Sequence, residues 1–355
     1  MASFRTVEVI LLANGCSNCC DHCYASATHN VEHPIGTILA EHLLDMLMPL
    51  FDEAQERFVD IYYDLFDHPD PAGLARLLHR KGLYAMWDSI ATNGRGIARN
   101  PMHRALLKEM KGMGSVGLQL TFHGNEQTHD LFVHRRGAFL DLIAAAKAGE
   151  EAGLLLCFPY FLTKRNVEEW AALFDRLKAE GLLTRTEHAL VVGLPGTGGR
   201  AKALEAERVE TADLLKLPAS VQERVPHRPE SEWYREALEG DHKHFVSDRA
   251  GAISLTVQGD GQVLLGYPTA CDPTCRLGVL GNDSLEDIIG RYRQAGSSDL
   301  NTSILKEFRA QGSSPSLVEL ARTWGNPAGQ KLYRVGTHAL AAWILRSRQG
   351  EGGRG

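Results

Sequence analysis

The sequence predicts an α/β fold: a partial (β/α)6 TIM-type barrel followed by a C-terminal hairpin-plus-helices extension. Three features of the chain predict it. Short apolar runs alternate with helical patterns through the first half, and the stretches between them are long enough for right-handed crossovers joining parallel strands. A glycine-rich segment, Gly193 to Gly199, then ends the rhythm.

The first strand is predicted near residues 6–12, where alternation gives way to an apolar run, and an amphipathic helix follows near 37–54. A second strand near 57–63 leads into a helix near 71–81, and a third near 83–90 into a helix near 101–112. The fourth, near 116–122, precedes a helix near 137–152. The fifth, near 154–162, runs through Leu154-Leu155-Leu156-Cys157-Phe158; a helix near 166–181 and a sixth strand near 187–193 complete the barrel, assigned to 1–195. A linker with a charged helical run from about 200 to 216 occupies 196–250. The extension, 251–349, opens on a hairpin pairing Ala252 to Val257 with Gln262 to Leu265 across Gly259-Asp260-Gly261, which is favourable turn chemistry. Two or three helices close it, and residues 350–355 have nothing to bury and read as a disordered tail.

Composition narrows the function. Of 355 residues, 44% are hydrophobic and 23% charged, an ordinary globular balance, and 38 basic against 44 acidic side chains give a net charge of -6. That field does not hold a phosphate backbone, so nucleic acid is not the expected partner. With no apolar run of membrane length and no secretory signal pattern, neither a membrane span nor export is expected, and the assignment is cytoplasmic.

Seven cysteines carry the rest of the information, and four of them fall between Cys16 and Cys23. Such crowding suits a soft-metal or iron-sulfur site better than a disulfide framework. Cys16, Cys20 and Cys23 form a C-x3-C-x2-C set on the loop after the first strand, and three thiolates on a short loop can hold three corners of an iron-sulfur cube, leaving one iron open. Zinc bound by three of these cysteines and His22 is the competing reading. Cys19 falls outside the triad.

This spacing and place in the chain, with Tyr24 after the third cysteine, resembles the radical S-adenosylmethionine (SAM) superfamily. The likeness extends over about residues 6–195. Thr121 through Asp130, then Arg135-Arg136-Gly137, is similar to the family's run in which a hydroxyl and an arginine lie near the SAM carboxylate. Thr92-Asn93-Gly94 resembles its T-N-G turn, and Asn166 its fifth-strand asparagine. The resemblance implies a 4Fe-4S cluster whose open iron chelates SAM, reductive cleavage to a 5'-deoxyadenosyl radical, and a reductase such as flavodoxin or ferredoxin as electron donor. The family's Gly-Gly-Glu-Pro run is absent: Tyr62-Tyr63-Asp64-Leu65-Phe66-Asp67-His68-Pro69 stands there, leaving Asp64 or Asp67 to receive the SAM ammonium and His68 as a candidate proton-transfer group.

Gly259 to Ile288 is similar to the hairpin of SPASM and twitch extensions, which implies auxiliary clusters. Cys271 and Cys275 are its candidate ligands for a second cluster, and a four-thiolate set would also require Cys19 and Cys157, unless a histidine such as His242 or His244 substitutes. Cys157 reads either as a small buried hydrophobe or as a hydrogen-atom donor to a substrate radical. The expected function is therefore radical epimerisation or dehydrogenation of a small polar natural-product intermediate, of the aminocyclitol or amino sugar type. The triad's early position favours that substrate over a peptide, and a maturase for a ribosomally made peptide is the alternative. From another class, an iron-sulfur sensor without catalysis also fits the triad alone.

Overall fold

Strand β1 (Thr6–Leu12) turns Val7, Val9 and Leu11 into the apolar core beside Leu43, Leu44 and Leu47 of helix α1 (Thr37–Asp52), and sets Thr6, Glu8 and Ile10 on its other face. The computed structural model describes residues 4–23, 26–83, 89–184, 189–193, 199–207, 209, 211–223, 252–265 and 276–295. Strand β2 (Glu56–Tyr62) lies parallel to β1, with Val9 opposite Val59, and gives Val59 and Ile61 to the same core. Helix α2 (Pro71–Arg80) follows, started by Pro71 and capped by Asp70, whose carboxylate accepts from Gly73 N at 2.8 Å.

A second parallel run consists of β3 (Ser89–Thr92), β4 (Gly117–Leu120), β5 (Leu155–Phe161) and β6 (Ala189–Gly193), in that spatial order. Helix α3 (Arg95–Arg99) and helix α4 (Pro101–Gly112) join β3 to β4, and helix α5 (Glu126–Phe132) and helix α6 (Ala138–Glu151) join β4 to β5. The small residues of α6 let it approach the sheet closely: a β-carbon on Gly149 would stand 2.8 Å from Leu118 Cδ2. Helix α7 (Trp170–Ala179) connects β5 to β6.

The predicted strands and long helices appear at their places, with shifted ends. Helices α3 and α5 were not predicted, being too short to show a period; Gly94, in a left-handed conformation, opens the first, and Asn125, accepting from Thr128 N at 3.1 Å, caps the second. The helix predicted over 166–181 begins as a 3-10 turn at Val167–Glu169. The charged run from 200 resolves into 3-10 turns (Gly199–Glu207) and two single-turn helices, α8 (Thr211–Leu214) and α9 (Ala219–Gln222).

The largest departure concerns the hairpin. Its strands, β7 (Ala252–Val257) and β8 (Gln262–Leu265), pair as predicted, but β7 also lies parallel against β1, from Thr6 opposite Ala252 to Leu11 opposite Val257. With β9 (Arg276–Val279) antiparallel to β8, the five-stranded order is β2-β1-β7-β8-β9, and helix α10 (Leu285–Ala295) packs on β9. Ile253, Leu255 and Val257 thus enter the same core as β1, so the extension and the N-terminal strands share one sheet. The turn passes so close to the segment before α1 that a β-carbon on Gly259 would stand 2.1 Å from the His33 carbonyl oxygen. No helix among the described residues is long and apolar enough to cross a membrane.

Phe122, fully buried, packs edge-on against Phe139 and Phe158 at centroid distances of 5.2 and 5.8 Å, tying the end of β4 to α6 and β5. Phe122→Ala is expected to lower stability by about 3–5 kcal/mol, measured as a shift of the denaturant midpoint.

Candidate functional site

The loop after β1 has no regular structure, so its peptide groups must find partners elsewhere. Gly15 is needed where the returning chain crosses: a β-carbon there would stand 2.0 Å from the His29 carbonyl oxygen. Cys16 N donates to Thr28 O at 2.8 Å, Cys19 N to Val133 O and Asp21 N to Phe132 O at 3.0 Å each, and Ser17 N to Asp67 Oδ2 at 2.7 Å. Arg200 closes the remaining side, donating from Nε to Cys20 O at 3.0 Å and from Nη1 to Ala27 O at 2.6 Å.

Cys16, Cys20 and Cys23 are free thiols, partly buried. Burial, then the charge of Asp64, raises the Cys16 thiol well above its ordinary value, and burial, then Cys23, pushes Cys20 up to about 12. Buried thiols of this kind lose their protons to a cation. Donors are already directed at two of the sulfurs: Ala27 N at 3.2 Å from Cys23 Sγ and Asn93 Nδ2 at 3.6 Å from Cys16 Sγ. Soft ligands, burial and hydrogen bonds to sulfur fit an iron-sulfur cluster.

The two aspartates have separate partners. Asp64 is buried and accepts from Phe66 N at 2.9 Å, Thr92 Oγ1 at 3.0 Å and Asn93 N at 2.7 Å, which fixes the turn after β3. Burial, then the neighbouring Asp67 charge, raises its carboxyl to about 7 against these bonds. Asp67 instead accepts from Ser17 N and from Asn93 Nδ2, both at 2.7 Å, joining the cysteine loop to the same turn. His68 has neither ring nitrogen free: Nδ1 accepts from Asp70 N at 2.9 Å and Nε2 donates to Ile35 O at 3.0 Å. Both ring nitrogens are thus spent on backbone groups, which fixes the ring in place.

The paired arginines differ as sharply. Arg136 is exposed. Arg135 turns inward, donating from Nε to Asn18 Oδ1 at 2.6 Å and from Nη1 to Asp141, while its buried Nη2 has no hydrogen-bond partner among the described residues. Asn166 is fully buried and committed to backbone: Oδ1 accepts from Thr163 N at 2.8 Å, and Nδ2 donates to His123 O and Phe161 O at 3.1 and 3.0 Å. It braces the ends of β4 and β5 and spends both of its amide protons on backbone. Cys157 is half-buried on the β5 face that also carries Phe161, beside Gln119 of β4, and burial raises its thiol. Tyr24, Cys271 and Cys275, with His242 and His244, lie outside the described residues.

Cys16, Cys20, Asp64, Thr92, Asn93 and Thr121 all line one cavity of about 160 Å³. Three histidines also line it: His22, His123 and His129. His22 meets His123 with the rings tilted by 44° and centroids 4.3 Å apart, and His123 stacks on His129 at 5.5 Å and on Phe132 at 4.4 Å. Burial, then the Arg200 charge, lowers His22 to about 4; burial, then Arg135, lowers His129 to about 3; burial, then His22, takes His123 well below the ordinary value. Sequence reasoning found no role for His123 or His129 and gave His22 only a zinc reading, because no spacing rule connects residue 22 with residues a hundred positions later. The available signal was two histidines flanking the turn after β4, the strand whose end already carried Thr121.

On the other face of the five-stranded sheet, Asp60 of β2 is raised to about 7, first by burial and then by Glu8 of β1. Its folded value lies above its ordinary 3.8, so the folded chain holds a proton that the unfolded chain releases between about pH 4 and 7. That contribution is fully present at low pH and is lost as pH rises through this window. Plotting Tm against pH for Asp60→Asn and its parent should show the parent losing stability relative to the variant from pH 4 to 7.

No family model matches the chain. It is 27% identical over 183 residues to the Fe-coproporphyrin III synthase of Methanosarcina barkeri, which covers 50% of this chain and 42% of that protein. The match therefore spans less than half of the curated relative. Among solved structures, the Streptococcus suis protein SuiB bound to precursor peptide SuiA is similar with a TM-score of 0.55 and 14% identity, over 81% of this chain and 64% of that one. Native anSMEcpe with bound AdoMet is similar with a TM-score of 0.53 and 12% identity, over 98% of both chains, and it has also been solved with the Cp18Cys peptide. At these identities the likenesses establish a shared fold.

Proposed function

We propose that this chain, a member of the radical SAM superfamily, is an enzyme that reductively cleaves SAM and takes a hydrogen atom from a small polar molecule of the aminocyclitol or amino sugar type, giving epimerisation or dehydrogenation. The observation that carries this reading is the convergence on one cavity of Cys16 and Cys20, after β1, with Asp64, Thr92, Asn93 and Thr121 from the ends of β2, β3 and β4. Chemistry gathered at the C-terminal ends of successive parallel strands is the arrangement of a barrel active site, and the two sheets are read as arcs of one partial barrel.

A 4Fe-4S cluster on Cys16, Cys20 and Cys23, given SAM and an electron from a flavodoxin- or ferredoxin-type reductase, supplies a 5'-deoxyadenosyl radical. The chain's own residues do the rest. Arg135, with Nη2 buried and unpartnered, offers a charge-assisted hydrogen bond to the SAM carboxylate beside Thr121. Asp64 is favoured over Asp67 for the SAM ammonium, since Asp64 is the one that lines the cavity. Asn166 holds the β4 and β5 ends that carry these groups.

Substrate chemistry is read from the strand faces turned away from the apolar core: Glu8, Asp60, Ser254 and Thr256 on one sheet, Gln119 and Cys157 on the other. Faces of parallel strands are ordinarily apolar on both sides, and acids and hydroxyls there suit a ligand bearing ammonium and hydroxyl groups. The raised Cys157 thiol keeps its hydrogen at neutral pH, which is the form a hydrogen-atom donor needs. A second reading, maturation of a ribosomally made peptide, is favoured by the fold shared with SuiB, solved with its precursor peptide, and with anSMEcpe, solved with Cp18Cys. A second cluster on Cys271 and Cys275 stays a proposal of the sequence.

Reconstituted anaerobically with iron and sulfide, then given SAM and dithionite, the chain should release 5'-deoxyadenosine, and Cys20→Ala should release none. Amino sugars or aminocyclitols should accelerate that release over peptides; the reverse order selects the maturase reading, and zinc bound in place of iron removes both. Arg135→Ala should weaken SAM binding by about 10- to 100-fold, from the roughly 1.5–3 kcal/mol of a hydrogen bond to a charged group, while Arg136→Ala leaves it unchanged by equilibrium dialysis.

A further inference from the structure

Two imidazoles of the cavity wall, His22 and His123, have a buried Nδ1 with no hydrogen-bond partner among the described residues. His123 is 1% exposed, follows β4, and its Nδ1 meets no partner among the described residues. The structure places a ligating ring nitrogen of His123, one of His22 and the Sγ of Cys20 all within 4.8 Å of one another. A buried polar atom without a partner is costly, and a ring placed this near a thiol offers a metal a nitrogen ligand.

The three cavity histidines are not equivalent. His129 Nδ1 accepts from His123 N at 3.2 Å, and His129 stands outside the group that includes Cys20. His22 shares the cysteine turn itself, between Cys20 and Cys23, and its backbone is held there by the bonds of Asp21 N to Phe132 O and Cys23 N to Cys20 O. His123 alone reaches the thiol from a different strand end, across the cavity.

We propose that the His123 imidazole closes the open iron position of a cluster held by Cys16, Cys20 and Cys23, and leaves it when SAM binds. The proposal rests on the functional reading above. Imidazole takes the place of thiolate in some iron-sulfur centres, and it is a common metal ligand. No electrons move in the exchange: a neutral ring nitrogen dissociates from iron as the SAM amino and carboxylate groups arrive. The consequence is a cluster whose reactive corner is covered by its own protein until the cosubstrate is present, and a SAM affinity reduced by the fraction of chains in the covered state.

The test is pulsed EPR on the full chain, reconstituted and reduced without SAM, with 14N- or 15N-labelled histidine. A strongly coupled histidine nitrogen is expected, lost in His123→Ala and lost again in the parent when SAM is added. If the covered state holds about nine-tenths of the chains, His123→Ala should bind SAM about tenfold tighter, whereas a merely structural histidine would leave affinity equal or weaker. A four-iron cluster without histidine coupling in the parent overturns the proposal, as does coupling that survives in His123→Ala, which would assign the ligand to another imidazole such as His22. Should His123→Ala fail to load, His123→Asn replaces it, and the parent spectra with and without SAM still decide. A chain that takes up no four-iron cluster overturns the functional reading itself, and this proposal with it.

Discussion

Everything at this site depends on holding an irregular loop rigid from outside. A run of cysteines spaced to surround a cluster cannot be helix or strand, so the loop after β1 carries peptide groups that no ladder satisfies. The fold answers with partners from four directions: the Asp67 carboxylate, the carbonyls of Phe132 and Val133 at the end of α5, the returning chain at Thr28, and the Arg200 guanidinium. The strands are the frame that brings these partners to one place. Tight spots such as Gly15 mark where the loop and the chain around it touch.

Charge is apportioned with the same economy. Two aspartates three positions apart repel each other, and burial adds to the cost of ionising Asp64. Asp64 is drawn inward by two backbone N–H groups and a hydroxyl and rises toward neutrality, while Asp67 spans to the cysteine loop through Ser17 and Asn93. One short segment after β2 therefore positions both the turn after β3 and the cysteine loop. Arg135 follows a similar logic, with one edge spent on Asn18 and Asp141 and a buried nitrogen left over.

The sequence made local features readable and left the non-local ones hidden. Hairpin β7–β8 was legible to the residue, since a Gly-Asp-Gly turn between apolar runs is a short-range signal. Its parallel partner β1 was not, because nothing in either strand names the other across most of the chain. The cysteine triad was legible from spacing, but the histidine wall required knowing that the loop after β1 packs against the end of β4. Which of two neighbouring arginines faces inward, and whether His68 and Asn166 meet a ligand or backbone, are rotamer-scale facts that composition does not encode. Helices α3 and α5 escaped because one or two turns cannot display a period.

The pairing of Thr6–Leu12 with Ala252–Val257 also bears on how the chain is made. Strand β1 leaves the ribosome long before β7, the neighbour that covers one of its edges. Until then Val9, Ile10, Leu11 and Leu12 form an apolar, unpaired edge beside the cysteine loop. Closure of that edge is a late, entropically slow event of high contact order. Completion of the five-stranded sheet therefore waits on a contact between two segments far apart in the chain, and the strand that carries the cysteine loop is the one left open until it forms.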